Sequence, residues 1–291
     1  MVDYTTDAIQ IAEFRKNRFR ILVCVDGSDE SYRGLGYAAR LGAGKDADII
    51  LLYVRPIDQG LRTGGLQARL VRENMMNWGL ELPGIKYLKK GRDMLIEIEE
   101  QAAIWDQQST HTDVEGDPLG DNKIEYRDEN GKSIVLKLKT ATSVAGGILD
   151  QYELGPYDLI ILGASGEQGG LAKSLWDPAV AEKVVVHSPC SVCISRELET
   201  GHGKLLCTDG SDRAMEMVAK AAGLAKRDGA NVSVMSVALD ESDEQEARVN
   251  VDKAASLLRS LEVEPTNLFI ETGNPVEEII KAGSNYSFII L

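Results

Sequence analysis

One short phrase occurs twice in this chain. Residues 21–29 read Ile-Leu-Val-Cys-Val-Asp-Gly-Ser-Asp, and residues 204–212 read Lys-Leu-Leu-Cys-Thr-Asp-Gly-Ser-Asp. Asp26 and Asp209 stand 183 positions apart. Each copy is followed by a helical stretch and then by a second apolar run, Ala47–Val54 and Ala230–Val237. Several features recurring in one order mark a duplicated unit rather than chance. Apolar runs alternating with helical stretches build α/β layers. The chain therefore reads as two tandem Rossmann-like α/β units, residues 1–199 and 200–291, and function is to be sought at the site that each unit builds.

Length and charge bound the rest. A chain of 291 residues suits two domains, and 43% apolar residues suffice for cores. Acidic residues number 46 against 32 basic ones, a net charge of −14. That excess argues against a nucleic-acid backbone or an anionic membrane surface as the main partner. No run of 18 apolar residues exists to span a membrane, and residues 1–19 lack the apolar core of a signal peptide. A cytoplasmic protein is expected, with residues 1–19 able to form a short amphipathic helix. Cys24 and Cys207 occupy equivalent positions in the repeat, inside strands. Cys190 and Cys193 form C-x-x-C where a loop enters a strand rather than a helix, which suits packing better than redox or metal chemistry.

In the first unit the pattern predicts a strand at Arg20–Val25, then a helix capped by Ser28 or Asp29 that runs to about Leu41. A strand over Asp48–Val54 follows. A region without counterpart in the repeat, Arg55–Asn122, is expected to be mainly helical, with helices at Gln67–Trp78 and Ile85–Gln108 and a loop at His111–Asp121. Asn130-Gly131 between alternating apolar residues predicts a hairpin over Lys123–Lys139. Its second arm serves as the third strand of the main sheet. A helix from Ser143 to Tyr152, a strand at Tyr157–Leu162, a glycine-rich loop to Gly170, a helix over Pro178–His187 and a strand at Val192–Arg196 complete the unit. The second unit repeats strand and helix through Tyr286–Leu291, and in this sequence stops before a glycine loop and fifth strand.

Parallel sheets bind ligands beyond the carboxyl ends of their strands, where the strand order reverses. Two segments of the first unit fall there: Val25-Asp26-Gly27-Ser28, and the loop Gly163-Ala-Ser-Gly166-Glu-Gln-Gly169-Gly170. A carboxylate such as Asp26 can accept ribose or base hydrogen bonds, and a glycine loop lets backbone N–H groups approach phosphates. The residues alone also admit a plainer reading, in which the glycines only make a turn and Asp26 only caps a helix. His111, His187 and His202 are too scattered for a metal site, and no P-loop, nucleophile elbow or H-E-x-x-H occurs. Trp78, Trp105 and Trp176 read as packing or interface anchors.

The chain resembles a tandem universal stress protein. The resemblance rests on Val25-Asp26-Gly27-Ser28 with Ser31, on Ile49–Val54, on Tyr157-Asp-Leu-Ile-Ile-Leu-Gly163-Ala-Ser-Gly166 and on Glu182-Lys-Val-Val-Val-His-Ser-Pro-Cys190. It implies a nucleotide-binding sheet of five parallel strands in the order 3-2-1-4-5, the second unit being incomplete. It implies an adenosine pocket at Val25, Asp26, Val54, Gly163 and Gly166, and at Thr208, Asp209 and Val237 in the second unit. It further implies a homodimer through the fifth-strand edge near Val192–Ser195. The ATP-binding branch of the family carries G-x2-G-x9-G-(S/T). Here Gly163 and Gly166 supply the first half, but Trp176-Asp177, or Pro178-Ala179 in the alternative alignment, replace Gly-Ser. The expectation is a non-enzymatic stress-response module that binds and dimerises, with no cofactor assigned and with ATP or another adenine nucleotide bound weakly or not at all. Two rivals are an ATP-dependent switch and a structural dimerisation scaffold whose insertion docks a partner protein.

Overall fold

Strand β1 (Phe19–Cys24) is apolar from Ile21 onward, and five of its six residues are buried. A run without polar alternation fits a strand covered on both faces, as in a parallel sheet. The computed structural model places it so. β2 (Ala47–Pro56) lies parallel on one side, with Ile21 opposite Ile49 and Cys24 opposite Leu52. β6 (Leu159–Gly163) lies parallel on the other, with Ile21 opposite Leu159. β5 (Ser133–Ala141) pairs parallel with β2, and β7 (Ser191–Ser195) pairs parallel with β6. The structure describes residues 17–57, 83–98, 105–114, 117–129, 131–153, 156–163, 178–195 and 201–291. The chain divides into two compact units between Glu197 and Leu198.

Four described helices cover the first sheet. α1 (Asp29–Leu41) starts where the Ser28 side chain accepts the Ser31 N–H, and α2 (Pro83–Ile98) packs against α1 and β2. On the opposite face α3 (Val144–Glu153) and α4 (Pro178–His187) bring Ile148 and Val184 onto Leu22, Cys24, Ile50, Leu52 and Ile160. Right-handed crossovers that move one way from β1 through β2 to β5, then back to β6, place the helices on two faces in this manner.

The insertion departs from its expected form. The helix predicted over Ile85–Gln108 is described over Pro83–Ile98, residues 99–104 lie outside the described residues, and Asp106–Gln108, expected at its end, belong to strand β3 (Asp106–Val114). The segment His111–Asp121, expected as a loop, lies mostly in β3 and β4 (Asp117–Arg127), which pair antiparallel. β4 pairs in turn with β5, Tyr126 opposite Ile134. The sheet therefore has seven strands, β3-β4-β5-β2-β1-β6-β7, rather than five, because the insertion adds an antiparallel pair outside the parallel set. The hairpin between β4 and β5 forms as predicted. Asp128 N–H donates to Lys132 O, Gly131 N–H donates to Asp128 O, and Gly131 adopts φ +84°. Asn130, the helix expected at Gln67–Trp78, the amphipathic segment up to residue 16 and the glycine loop after Gly163 lie outside the described residues.

In the second unit β8 (Lys204–Cys207), β9 (Val232–Ala238), β10 (Leu268–Thr272) and β11 (Phe288–Ile290) form a parallel sheet of order β10-β9-β8-β11. α5 (Asp212–Asp228), α6 (Glu244–Ser260) and α7 (Pro275–Gly283) connect them. α5 is bounded by side chain and backbone together: Ser211 Oγ accepts the Ala214 N–H at its start, and Gly229 takes the left-handed conformation at its end. Leu206, Val218, Val234, Val251 and Leu258 are buried together as the core.

Candidate functional site

The chain leaves β1 at Val25, whose N–H donates to Leu52 O. Asp26 then turns the chain into α1. Its Oδ1 accepts the Ser28 N–H at 2.9 Å and the Ser28 hydroxyl at 2.5 Å. Ser28 Oγ accepts the Ser31 N–H, and Ser31 Oγ donates to Ser28 O. One carboxylate oxygen thus holds the turn. Gly27 between them has φ +92°, and the Tyr87 ring of α2 stands over it. The cleft here is lined by Cys24, Asp26, Tyr53, Val54, Val144 and Ile148, with room for about one water molecule.

The repeat builds the same geometry at Thr208. Its N–H donates to Met235 O, as that of Val25 does to Leu52 O. Asp209 Oδ1 accepts the Ser211 N–H at 3.0 Å. Hydrogen bonds from the Ser211 side chain and backbone hold the Asp209 carboxyl below the usual aspartate range. Gly210 has φ +76°. Here the strand ends open onto a cavity of about 420 Å³, whose lining includes Thr208, Asp209, Arg213, Met217, Val237 and Ile279.

The site residues expected from sequence therefore fall into two groups. Val25, Asp26 and Val54 come together in the first unit, and Thr208, Asp209 and Val237 in the second. Gly163 ends β6 but has a packing role: a Cβ there would stand 2.7 Å from Glu30 O and 2.9 Å from the Ser31 Cα. The start of α1 lies too close for any other residue. Gly166 lies outside the described residues. Val144 and Ile148, and Pro275 and Ile279, had not been singled out. They occupy matching places one turn apart, just after the helix-starting Ser143 and Asn274, so the repeat carried the signal.

The cysteines are free thiols. Burial pushes Cys193 and Cys207 up to about 12, and pushes Cys24 up as well, Asp26 adding to the effect there. Thiols held protonated in this way serve packing, not nucleophilic attack. Among the described residues no cluster of three or more His, Cys, Asp or Glu could hold a metal ion, and no helix is long and apolar enough to cross a membrane.

No curated protein matches the chain. Among solved structures, a universal stress protein from Archaeoglobus fulgidus DSM 4304 is similar at 16% identity and a TM-score of 0.51, over 93% of this chain and 85% of its own. A putative universal stress protein from Pseudomonas aeruginosa UCBPP-PA14 is similar at 14% identity and a TM-score of 0.50, over 94% and 80%. A functionally unknown protein from Pseudomonas aeruginosa PAO1 is similar at 15% identity and a TM-score of 0.52, over 94% and 79%. These likenesses concern the fold. Residues 17–196 match the universal stress protein family itself, and that span contains the β1 turn at Asp26, Val54 near the end of β2 and the β6 end at Gly163. The chain belongs to the universal stress protein family.

Proposed function

We propose that the protein is a non-enzymatic regulatory module of the stress response, cytoplasmic, that holds adenine nucleotide weakly at its strand ends and pairs with a second copy of itself. The observation that carries this reading is the duplicated constellation. In each unit a carboxylate follows the first strand and a valine stands near the end of the second, Val54 in β2 and Val237 in β9, at the carboxyl edge of a parallel sheet. That edge is where open α/β sheets receive ligands.

Weak binding of ATP follows from the groups available. Asp26 Oδ1 and Asp209 Oδ1 are engaged in their own turns. The cleft at Cys24, Asp26 and Val54 must widen to admit a base. The sequence offers Trp176-Asp177 or Pro178-Ala179 where a small residue and a hydroxyl would grip phosphate. Two lost charge-assisted contacts at about 1.5–3 kcal/mol each weaken affinity about a hundredfold or more. Calorimetry with ATP is the test. The expected dissociation constant is weaker than micromolar. A value of a few micromolar or tighter, abolished by Asp26→Ala, supports a nucleotide-dependent switch instead.

Pairing is argued from the sheet edge. β7 is the outermost strand on its side, and Ile194 is exposed on it. Val185 and Val186 of α4 are exposed as well. An edge strand with apolar side chains invites a partner strand. Light scattering at micromolar concentration should give twice the monomer mass, and Ile194→Lys should return it to the monomer.

A further inference from the structure

From Asp106 to Thr112 every residue of strand β3 is exposed, whereas Asn122–Glu125 of β4 beside it are half-buried. Ordering a chain costs conformational entropy, which burial normally offsets. Here the ladder to β4 offsets it, with Gln108 opposite Glu125 and Thr110 opposite Lys123. What the ordered strand adds to the sheet is an outward edge. β3 is the outermost strand on its side, so alternate residues turn their backbone N–H and C=O groups away from β4.

That edge is thinly guarded. Native edges are blunted by short strands, lysine, proline or a bulge. β3 has nine residues against five in β7, and Asp106–Val114 contains no Lys, Arg or Pro. Its register shifts between Thr112 and Val114, which leaves Asp106–Thr112 as a straight run of about 20 Å. The side chains along it set the chemistry of a neighbour. Asp106, Gln108, Thr110 and Thr112 share one face, and Gln107, Ser109 and His111 share the other. All but Asp106 are neutral hydrogen-bonding groups at pH 7. Lys123 and Arg127 of β4 are drawn onto Glu125, at 2.5 and 2.6 Å, so Asp106 gives the rim a negative sign.

We propose that β3 is a docking edge on which an extended segment of a partner protein adds as an eighth strand of this sheet: a segment rich in Thr, Ser and Gln, with a lysine or arginine beside Asp106. Backbone hydrogen bonds along the outward edge supply the affinity, and the side chains next to them supply the selection. Hydroxyl and opposite-charge pairs across a ladder stabilise it, and like charges oppose it. A second copy of the chain fits less well, because it brings the same cation-free strand and a net charge of −14. The edge belongs to the insertion and uses none of the residues proposed for adenine, so the two can fail separately.

The probe is a fluorescent nine-residue peptide of alternating Thr and Gln with a lysine at each end. It is titrated into the full chain and followed by anisotropy and by amide hydrogen exchange. Saturable binding tighter than about 1 mM is expected, with slowed exchange at alternate amides of Gln107–Thr112. N-methylation along one edge of the peptide should abolish binding, and along the other should leave it within threefold. Glutamate in place of both lysines should weaken binding at least threefold at low salt, and Asp106→Asn should remove that difference. Of Ser109→Pro and Thr110→Pro, the variant that removes the outward N–H should weaken binding tenfold or more. Should a proline variant fail to fold, the N-methylated peptides decide the matter on the unmodified chain. Three results overturn the proposal: no binding at about 1 mM peptide, equal binding of both N-methylated peptides or of the glutamate-ended one, or slowed exchange at Ser191–Ser195 instead of β3. Slowed exchange at Gln107–Thr112 that grows with protein concentration and needs no peptide also overturns it, and assigns the edge to a second copy.

Discussion

The Tyr87 ring occupies the space that a side chain on Gly27 would need. Its Cδ1 and Cε1 atoms lie 2.7 Å from the position of a Cβ there, and Gly27 itself has φ +92°. Tyr87 is also tied to the rest of α1 and β2. The Tyr32 hydroxyl donates to Tyr87 O at 3.1 Å, and the Tyr53 and Tyr87 rings stand 5.8 Å apart. The insertion helix therefore rests directly on the turn that holds Asp26.

Gly27→Ala should destabilise the first unit by about 2–4 kcal/mol, through left-handed backbone strain plus overpacking. Adding Tyr87→Ala removes the overpacking. The double variant should then be more stable than the summed single losses by about 1 kcal/mol. Urea unfolding followed by amide exchange in β1 and α1 measures this. Strictly additive losses would mean that the strain lies in the backbone alone.

The insertion hairpin is fastened by a buried ion pair. Arg55, one residue past Val54, donates from Nη2 to Asp117 Oδ1 at 2.5 Å and to Thr140 Oγ1 at 3.1 Å, and the Asp117 side chain is 1% exposed. Removing one partner strands the other charge. Asp117→Ala should cost about 3–5 kcal/mol, whereas replacing both residues by apolar ones of similar size should cost far less. Chemical denaturation of the two variants compares them. Equal losses would show that the pair acts through shape rather than charge.

Glu125 gives the first unit an acid-sensitive contact. Burial opposes its ionisation, but hydrogen bonds from Lys123 and Arg127 outweigh burial and lower its pKa. A carboxyl whose folded pKa is depressed contributes stability that is present above its unfolded pKa of about 4.3, and that is lost as pH falls toward the folded value. Glu125→Gln should lower the melting temperature by a constant amount above about pH 5, and the gap should close below about pH 4. A gap that persisted at low pH would assign the effect to packing.

Thiol reactivity should separate the cysteines. Cys24 and Cys193 are buried, Cys207 is held protonated, and Cys190 is half-buried with its N–H donating to Ser188 Oγ. An aromatic disulfide reagent at pH 8 should label Cys190 first in the native protein, and label Cys24, Cys193 and Cys207 only as the chain unfolds. Labelling of Cys193 at the rate of Cys190 would contradict this.

What could be read from the chain was what depends on local pattern and on duplication. Ile21–Val25 announces a buried parallel strand by apolar continuity, Val232–Ala238 by its place in the repeat, and Asp26 and Asp209 mark the turns after β1 and β8. Gly131 announces its hairpin through the φ that it needs. β3 was illegible for a physical reason. Asp106–Thr112 is exposed throughout, so no alternation records its pleat, and its strand state comes from the ladder to Asp121–Arg127. Gly163 read as part of a phosphate loop because its sequence neighbours are glycines. The contact that demands it, the backbone at Glu30 and Ser31, is remote in sequence. In the second unit Thr208, Asp209 and Val237 were legible through the repeat, whereas Met217 and Ile279 join them in one lining from two helices far apart in sequence.

The added pair β3–β4 makes the two rims of the first sheet chemically unlike. One rim ends in β7 with Ile194. The other ends in Gln107, Gln108, Ser109 and Thr110 of β3, which hold no apolar side chain. A sheet with two sticky rims can add copies at both and grow without end. Should copies pair through the β7 rim as proposed, the rim left outward among the described residues carries polar side chains, so the insertion supplies no second apolar edge for further growth.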